Sequence, residues 1–332
     1  MPATIKDVAR AVGMSVATVS RALNGFENVL PETRERVLEA ARKLHYTPSG
    51  AARSMVLRRT DTIGALLPDL HGEFFSELIR GIDAAARSRG LHLLLSSSHG
   101  NADETAAAIR AMNGRVDGLL VMSPHVDAAF LERNVPPSLP AVLMNAGVTA
   151  SRHPVFAIDN YGGALAMTRH LLAAGRRRIA FLGGPDGNFE ARERQRGYLD
   201  GLGNAHHAQL LPGDFTEACA AATAARLAAL PATLRPDAVF AANDAMAVAL
   251  LAGFTAAGLR VPQDIAVTGF DDIPLARYVN PALTTMRVPI AQLGSQALDA
   301  LTRQIEAGPD AAPQAEVLMP VELVVRHSCG SA

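Results

Sequence analysis

Cysteine is scarce in this 332-residue chain: Cys219 and Cys329 stand 110 positions apart, and neither belongs to a CxxC or a Cys/His cluster. That spacing gives little support to a disulfide framework or a metal centre. Long apolar runs are missing too, since no stretch approaches the roughly 18 uncharged apolar residues needed to cross a bilayer. The opening, MPATIKDVARAVG, has charges spread through it and no apolar core before a cleavage site. A secretion signal is therefore not expected, and a cytoplasmic location is. Aromatics make up 5% and charged residues 19%, against 49% hydrophobic residues. This is the composition of a packed globular protein, and it excludes a disordered chain. Two domains, one small and one large, suit the length.

A net charge of −1 hides an asymmetry. Residues 1 to 59 carry ten Lys/Arg against five Asp/Glu, and the rest carries 21 against 27. A basic head on an acidic body fits a polyanion-binding module joined to something else. Within the head, Thr4 and Asp7 have capping-box spacing, and Ile5, Val8, Ala9 and Val12 recur at helical intervals. A first helix is expected from about Ile5 to Ala11, ending at Gly13. Ser15 caps a second, Val16 to Leu23. Its packing face would be Thr18, Val19, Ala22 and Leu23. The opposite face would present Val16, Ala17, Ser20, Arg21 and Asn24. Two short helices joined at a glycine fit a major groove about 12 Å wide, where Val16 and Ala17 can touch a thymine methyl and Arg21 can bond a guanine. A plain helical hairpin with an incidental arginine is the competing reading of that segment.

IKDVARAVGMSVATVSRALNG strongly resembles the DNA-binding head of the LacI/GalR family of bacterial repressors, and PETRERVLEAARKLHYTPSGAARS resembles that family's third helix and hinge. The resemblance runs over nearly the whole chain. In the third helix, Val37, Leu38, Ala41 and Leu44 are expected to form the apolar stripe, with Pro31, Glu32 and Glu35 suiting its first turns. Leu30 replaces the usual hydroxyl cap, at a cost of roughly 1 kcal/mol. Pro48 and Gly50 make residues 46 to 59 a poor isolated helix. The resemblance implies hinge helices that insert into the minor groove. Ala52 would contact DNA there and Met55 would stand where the family has a wedging leucine, although Met55 also reads as an ordinary apolar linker residue.

From Asp61 the pattern becomes apolar runs alternating with helical stretches, the signature of parallel sheets covered on both faces. TIGALLP, LHLLLSS, DGLLVMS and PAVLMN form one series; RIAFLGG, PDAVFAAND and DIAVTGFDD form a second. Helices are expected from about Phe74 to Arg89 and from Asp103 to Asn113. TIGALLPDLHGEFF with RGI at 80 to 82 parallels RIAFLGGPDGNFEA with RGY at 196 to 198. The fold class is therefore α/β: a helix-turn-helix head plus two doubly wound parallel-sheet lobes, which the resemblance identifies with the periplasmic-binding-protein type. The expected domains are the head, 1–46, a hinge, 47–60, and an effector-binding and dimerisation domain, 61–328. Its first lobe would be about 61–160 with 289–318, and its second about 161–288 with 319–328.

Ligands of such sheets sit beyond the carboxyl ends of the strands. The candidates there are Phe74, Phe75, Ser123 and Asn145 in the first lobe. In the second they are Arg192, Arg194, Phe215, Asn243, Asp244 and Asp271. By resemblance, Phe74, Arg194, Phe215 and Asp271 align with effector-cleft positions. Phe75 reads equally as core. Asn145 departs from the family's frequent Asp, which leaves the hydroxyl-binding carboxylate there unaccounted for.

Enzymatic signatures are weak. There is no G-x-x-x-x-G-K-[ST] and no G-x-S-x-G; GLGNAH at 201 to 206 lacks a third glycine, and His206 and His207 read as a solvent-facing pair. No catalytic residue, metal ligand or cofactor is expected. A secreted two-lobed receptor would have no use for residues 1 to 59; a sugar-processing enzyme on an α/β scaffold is the second rival, which a turnover assay with candidate sugars would expose. The resemblance implies a repressor of a carbohydrate-utilisation operon whose partners are a pseudo-palindromic double-stranded operator and a small effector, a sugar or sugar phosphate. A homodimer is expected, because RHSCGSA follows the last predicted strand with no heptad tail.

Overall fold

The computed structural model describes residues 3–26, 28–47, 59–147, 152–205, 207–308 and 316–330. They form two compact units, Met1–Asp61 and Thr62–Ala332. The hinge positions Pro48, Gly50, Ala52 and Met55, and His206, lie outside the described residues.

The first unit holds α1 (Ile5–Val12), α2 (Val16–Leu23) and α3 (Pro31–Lys43). Val8, Ala9, Val19, Ala22, Val29, Val37 and Ala41 are its core. Gly13 closes α1 with φ +69°, a backbone state in which a Cβ is costly. The side-chain oxygen of Ser15 accepts the Thr18 amide at the start of α2. Leu30, at the start of α3, makes no side-chain cap. The expected apolar stripe of α3 needs correction. Val37 and Ala41, four residues apart, are buried, whereas Leu38 is 42% exposed and Leu44 36%. Leu38 lies about 100° around the helix from Val37, which takes it off the face that meets α1 and α2.

The second unit is two α/β lobes. In the first, β1 (Thr62–Leu67), β2 (His92–Ser97), β3 (Gly118–Met122), β4 (Ala141–Met144), β5 (Val155–Ile158) and β11 (Val317–Met319) form a parallel sheet in the order β11-β5-β4-β3-β1-β2. Its helices are α4 (Glu73–Arg87), α5 (Ala102–Met112), α6 (Ala128–Asn134) and α11 (Ile290–Ala307). The second lobe has a parallel sheet in the order β7-β6-β8-β9: β6 (Ile179–Leu182), β7 (Gln209–Leu211), β8 (Ala238–Ala241) and β9 (Ala266–Thr268). Its helices are α7 (Asn160–Ala173), α8 (Phe189–Leu202), α9 (Glu217–Ala228) and α10 (Asp244–Ala256). A short antiparallel pair, β10 (Thr285–Arg287) with β12 (Glu322–Val324), completes the unit.

The all-apolar strands β3, β4, β6 and β8 are buried along their whole length, as strands covered on both faces must be. LHLLLSS breaks that expectation. As β2 it is the sheet's edge, so Leu94 and Leu95 stay 39% and 36% exposed. The repeated RG signature has a packing cause. A Cβ on Gly81 of α4 would stand 2.1 Å from the Ala291 carbonyl oxygen of α11. One on Gly197 of α8 would stand 2.3 Å from the Tyr161 carbonyl of α7. Each lobe thus uses glycine to bring two helix backbones together. Among the described residues no helix is long and apolar enough to cross a membrane.

Candidate nucleic-acid interface and ligand pocket

The surface of α2 follows from its burial. Val19 and Ala22 are buried, while Val16 (41% exposed), Ala17 and Arg21 face outward. Thr18, expected on the packing face, is half-buried, and its hydroxyl lies 2.9 Å from that of Ser15. Ser20 and Asn24 are half-buried, with the Asn24 amide donating to the Ser20 hydroxyl at 3.4 Å. Among the described residues no hydrogen bond or ion pair engages the Arg21 guanidinium, and it is free to reach a partner. Thr4 is exposed; its hydroxyl and amide both donate to the Asp7 carboxylate, which holds that carboxyl below its usual range. The helix spacing therefore yields a small apolar surface around one outward arginine, a shape suited to base edges.

In the second unit a cavity of about 200 Å³ opens between the lobes. Of the ten predicted positions, Phe74, Phe75, Arg194, Phe215, Asn243 and Asp271 line it. Phe74 and Phe75 meet edge to face, 5.4 Å between centroids, and both also pack on the core, so the two readings of Phe75 hold together. Phe215 occupies the left-handed region, φ +68°. The Asn243 amide steadies it by donating to its carbonyl at 3.1 Å, while the Asn243 oxygen caps α10.

Arg194 is 3% exposed. Its Nε donates to Asn160 Oδ1 at 2.8 Å and its Nη1 to the Ala242 carbonyl. The guanidinium lies 3.9 Å over the Phe270 ring. Its Nη2 stands 3.4 Å from Asp271 Oδ1 and 3.9 Å from Glu190 Oε1. Burial pushes the Asp271 carboxyl up to about 7 in spite of Arg194, and raises Glu190 against the same opposing charge. Asp271 Oδ1 is buried without a hydrogen-bond partner among the described residues.

Four predicted positions stand elsewhere. Arg192 does not line the cavity, because two residues from Arg194 on α8 is about 200° around the helix. Ser123 is buried and does not line the cavity either. Asp244 is fully buried; its carboxylate accepts from the Ile273 amide at 3.0 Å and the Thr285 hydroxyl at 2.6 Å, and so ties the loop after β9 to β10. Asn145 reaches the cavity only through a neighbour: its amide donates to Glu190 Oε1 at 2.8 Å while its oxygen accepts the Ile158 amide. The carboxylate missing from position 145 thus enters from the opposite lobe, on Glu190. Glu190 is not among the strand-end candidates, although its i,i+4 relation to Arg194 places both on one helix face. Asp69, His71, Glu73, Asp214, Thr216 and Glu217 complete the polar lining. Among the described residues no group of His, Cys, Asp or Glu is arranged to hold a metal ion.

Known proteins share both parts of this architecture. Residues 4–49 match the family model "Bacterial regulatory proteins, lacI family", and residues 168–329 match "Periplasmic binding protein-like domain". The transcriptional repressor PurR of Photobacterium profundum is 35% identical over 98% of both chains. The lac repressor dimer bound to operator and the anti-inducer ONPF superposes with a TM-score of 0.85 at 28% identity, covering 99% of each chain. A transcriptional regulator CelR–cellobiose complex gives 0.71 at 30% identity, over 98% of this chain and 99% of that one.

Proposed function

Because the chain belongs to the LacI family of DNA-binding transcriptional repressors, we propose that it represses a carbohydrate-utilisation operon in the cytoplasm, binding a pseudo-palindromic operator as a homodimer under the control of a small sugar-like effector. On this reading Arg21 reads a guanine, Val16 and Ala17 meet thymine methyls, and Thr4, Ser15, Thr18, Ser20 and Asn24 meet backbone or base edges. Ala52 and Met55 of the hinge enter the minor groove. The effector lies against Phe74, Phe75 and Phe215, with Arg194, Asn243 and Asp271 supplying polar contacts. The observation that carries the reading is the cavity itself: residues of both lobes line it, and a carboxylate oxygen without a hydrogen-bond partner among the described residues, Asp271 Oδ1, stands among them. A ligand there binds the closed arrangement of lobes better than the open one, and this is how occupancy biases shape. The cellobiose bound by the CelR protein supports a sugar.

A second reading, a nucleobase, is favoured by the aromatic rings contributed from both lobes, since ring faces pack on bases as well as on sugars. A thermal-shift screen of sugars and nucleosides on the full chain, followed by operator titration with each hit, separates the two. A sugar that raises the unfolding midpoint and changes operator affinity bears out the first reading. Hits confined to nucleobases or nucleosides replace it with the second.

A further inference from the structure

The chemistry of the cavity wall narrows the effector further. Among the described lining residues, six bear carboxyl groups: Asp69, Glu73, Glu190, Asp214, Glu217 and Asp271. Against them stand one arginine, Arg194, and one histidine, His71. Arg194 is no anion trap. Its Nε and Nη1 are held by Asn160 and the Ala242 carbonyl, and its Nη2 faces Asp271 and Glu190. The side-chain donors of Thr216 and Asn243 are engaged as well: the Thr216 hydroxyl on Asp214 at 2.7 Å, and the Asn243 amide on the Phe215 carbonyl. At the start of α4, where an anion would otherwise gain from the helix dipole, the protein places its own negative charges: Glu73 sits in the first turn, and Asp69, just ahead of the helix, accepts the amides of Leu70 and His71.

Acceptors, by contrast, remain open. Asp271 Oδ1 is buried with no hydrogen-bond partner among the described residues, and Glu190 receives the Asn145 amide on Oε1. A carboxylate has about four lone-pair sites, and a protonated carboxyl keeps acceptor capacity beside its own O–H, so both groups can accept more. Asp271 Oδ1 has the ion pair with Arg194 Nη2 at 3.4 Å but no hydrogen bond among the described residues, so a ligand that donates to it recovers part of the cost of burying it. A phosphate monoester brings a charge of about −1.5 to −2 and oxygens that mainly accept, the reverse of what this wall needs.

Taking the cavity as the effector site proposed above, we infer that the effector is an uncharged or cationic ring compound rich in hydrogen-bond donors, that Glu190 and Asp271 are its acceptors, and that phosphorylated and other anionic compounds are excluded. Glu190 is then a specificity-determining residue, brought into the cavity by α8 and aimed by Asn145 from the opposite lobe. The cavity of about 200 Å³ has room for a compact ring compound.

The test is isothermal titration of the full chain with matched pairs. These are D-glucose, D-galactose, D-ribose and D-glucosamine against their phosphate esters, and adenosine, guanosine and inosine against their 5′-monophosphates, with the free bases titrated alongside. Only unphosphorylated members should bind. For the tightest of them, Glu190→Gln and Asp271→Asn should each weaken binding about ten- to a hundredfold, the worth of a hydrogen bond to a charged group. An ester that binds more tightly than its parent, with Asp271→Asn weakening it, overturns the inference. So does a parent compound whose affinity survives both substitutions. The outcomes also part the inference from the reading beneath it: a neutral nucleobase upholds the inference and defeats the sugar, whereas a sugar phosphate does the opposite.

Discussion

Replacing Asp271 with asparagine changes one atom in the cavity and removes one titration. In the free protein the Asp271 carboxyl is raised by burial from an ordinary 3.8 to about 7. The folded chain therefore holds a proton that the unfolded chain has already released. For a carboxyl shifted upward, stability is fully present below about pH 4 and is lost progressively as pH rises from there toward 7, levelling off above it. Each pH unit inside that window is worth about 1.4 kcal/mol, so Asp271 removes about 3 kcal/mol between pH 5 and pH 8. The asparagine cannot ionise and is spared this loss. Urea unfolding of both chains at pH 5, 6, 7 and 8 should show Asp271→Asn gaining on the native chain by about 3 kcal/mol across the series. Glu190 and Asp244 are also shifted upward and titrate in both chains; the part of the Asp244 shift that comes from the Asp271 charge is lost in the variant and adds to its gain. A difference that stays constant from pH 5 to 8 refutes the reasoning: Asp271 would then be solvated, or firmly ionised by Arg194, and not a buried carboxyl awaiting a donor.

Three further predictions rest on other parts of the molecule. Arg21→Ala should cost about 1 to 3 kcal/mol at the cognate operator and far less on random duplex, measured by fluorescence anisotropy; equal losses on both would mean that Arg21 meets phosphate. Gly197→Ala drives a Cβ into the α7 backbone, and overpacking of this kind costs about 1 to 3 kcal/mol, seen as a thermal midpoint several degrees lower. Asp272 is 1% exposed at its side chain and binds Arg326 at 2.6 Å and Arg287 at 2.8 Å. Asp272→Ala leaves these guanidinium groups without their buried acceptor and should cost about 3 kcal/mol; the same change at Asp264, which pairs with the exposed Arg260, should shift the midpoint far less.

The parts of this chain that are legible from sequence are those where one local rule decides. Ser15 and the apolar spacing after it define α2 to the residue, and the runs LLVM, AVLM and AFL are strands because nothing polar interrupts them. β5, β7 and β11 carry no such signal, because three or four residues are too few to show a period, and they become strands only beside neighbours already in place. In the cavity, strand ends lead to Asp271, Asn243 and Phe74. They do not tell Arg192 from Arg194 or Asp244 from Asp271, because a loop start fixes proximity and not direction. Helix geometry turns Arg192 away, and two hydrogen bonds from Ile273 and Thr285 draw Asp244 inward. Glu190 is hidden for a different reason. Its meaning depends on Asn145, 45 positions earlier in the chain, and only the folded lobes bring the two together.

The central claim is that occupancy of the cavity controls the hold on DNA. Its most direct measurement is operator affinity of the full chain, by anisotropy at fixed salt, without effector and with the tightest-binding compound at saturation, in the native chain and in Asp271→Asn. The account predicts a change of about 5- to 150-fold in the native chain, the usual range of allosteric coupling. In the variant it predicts that the same change needs an effector concentration about ten- to a hundredfold higher, with the two chains alike in its absence. An operator affinity that is the same with the cavity filled as with it empty would contradict the claim.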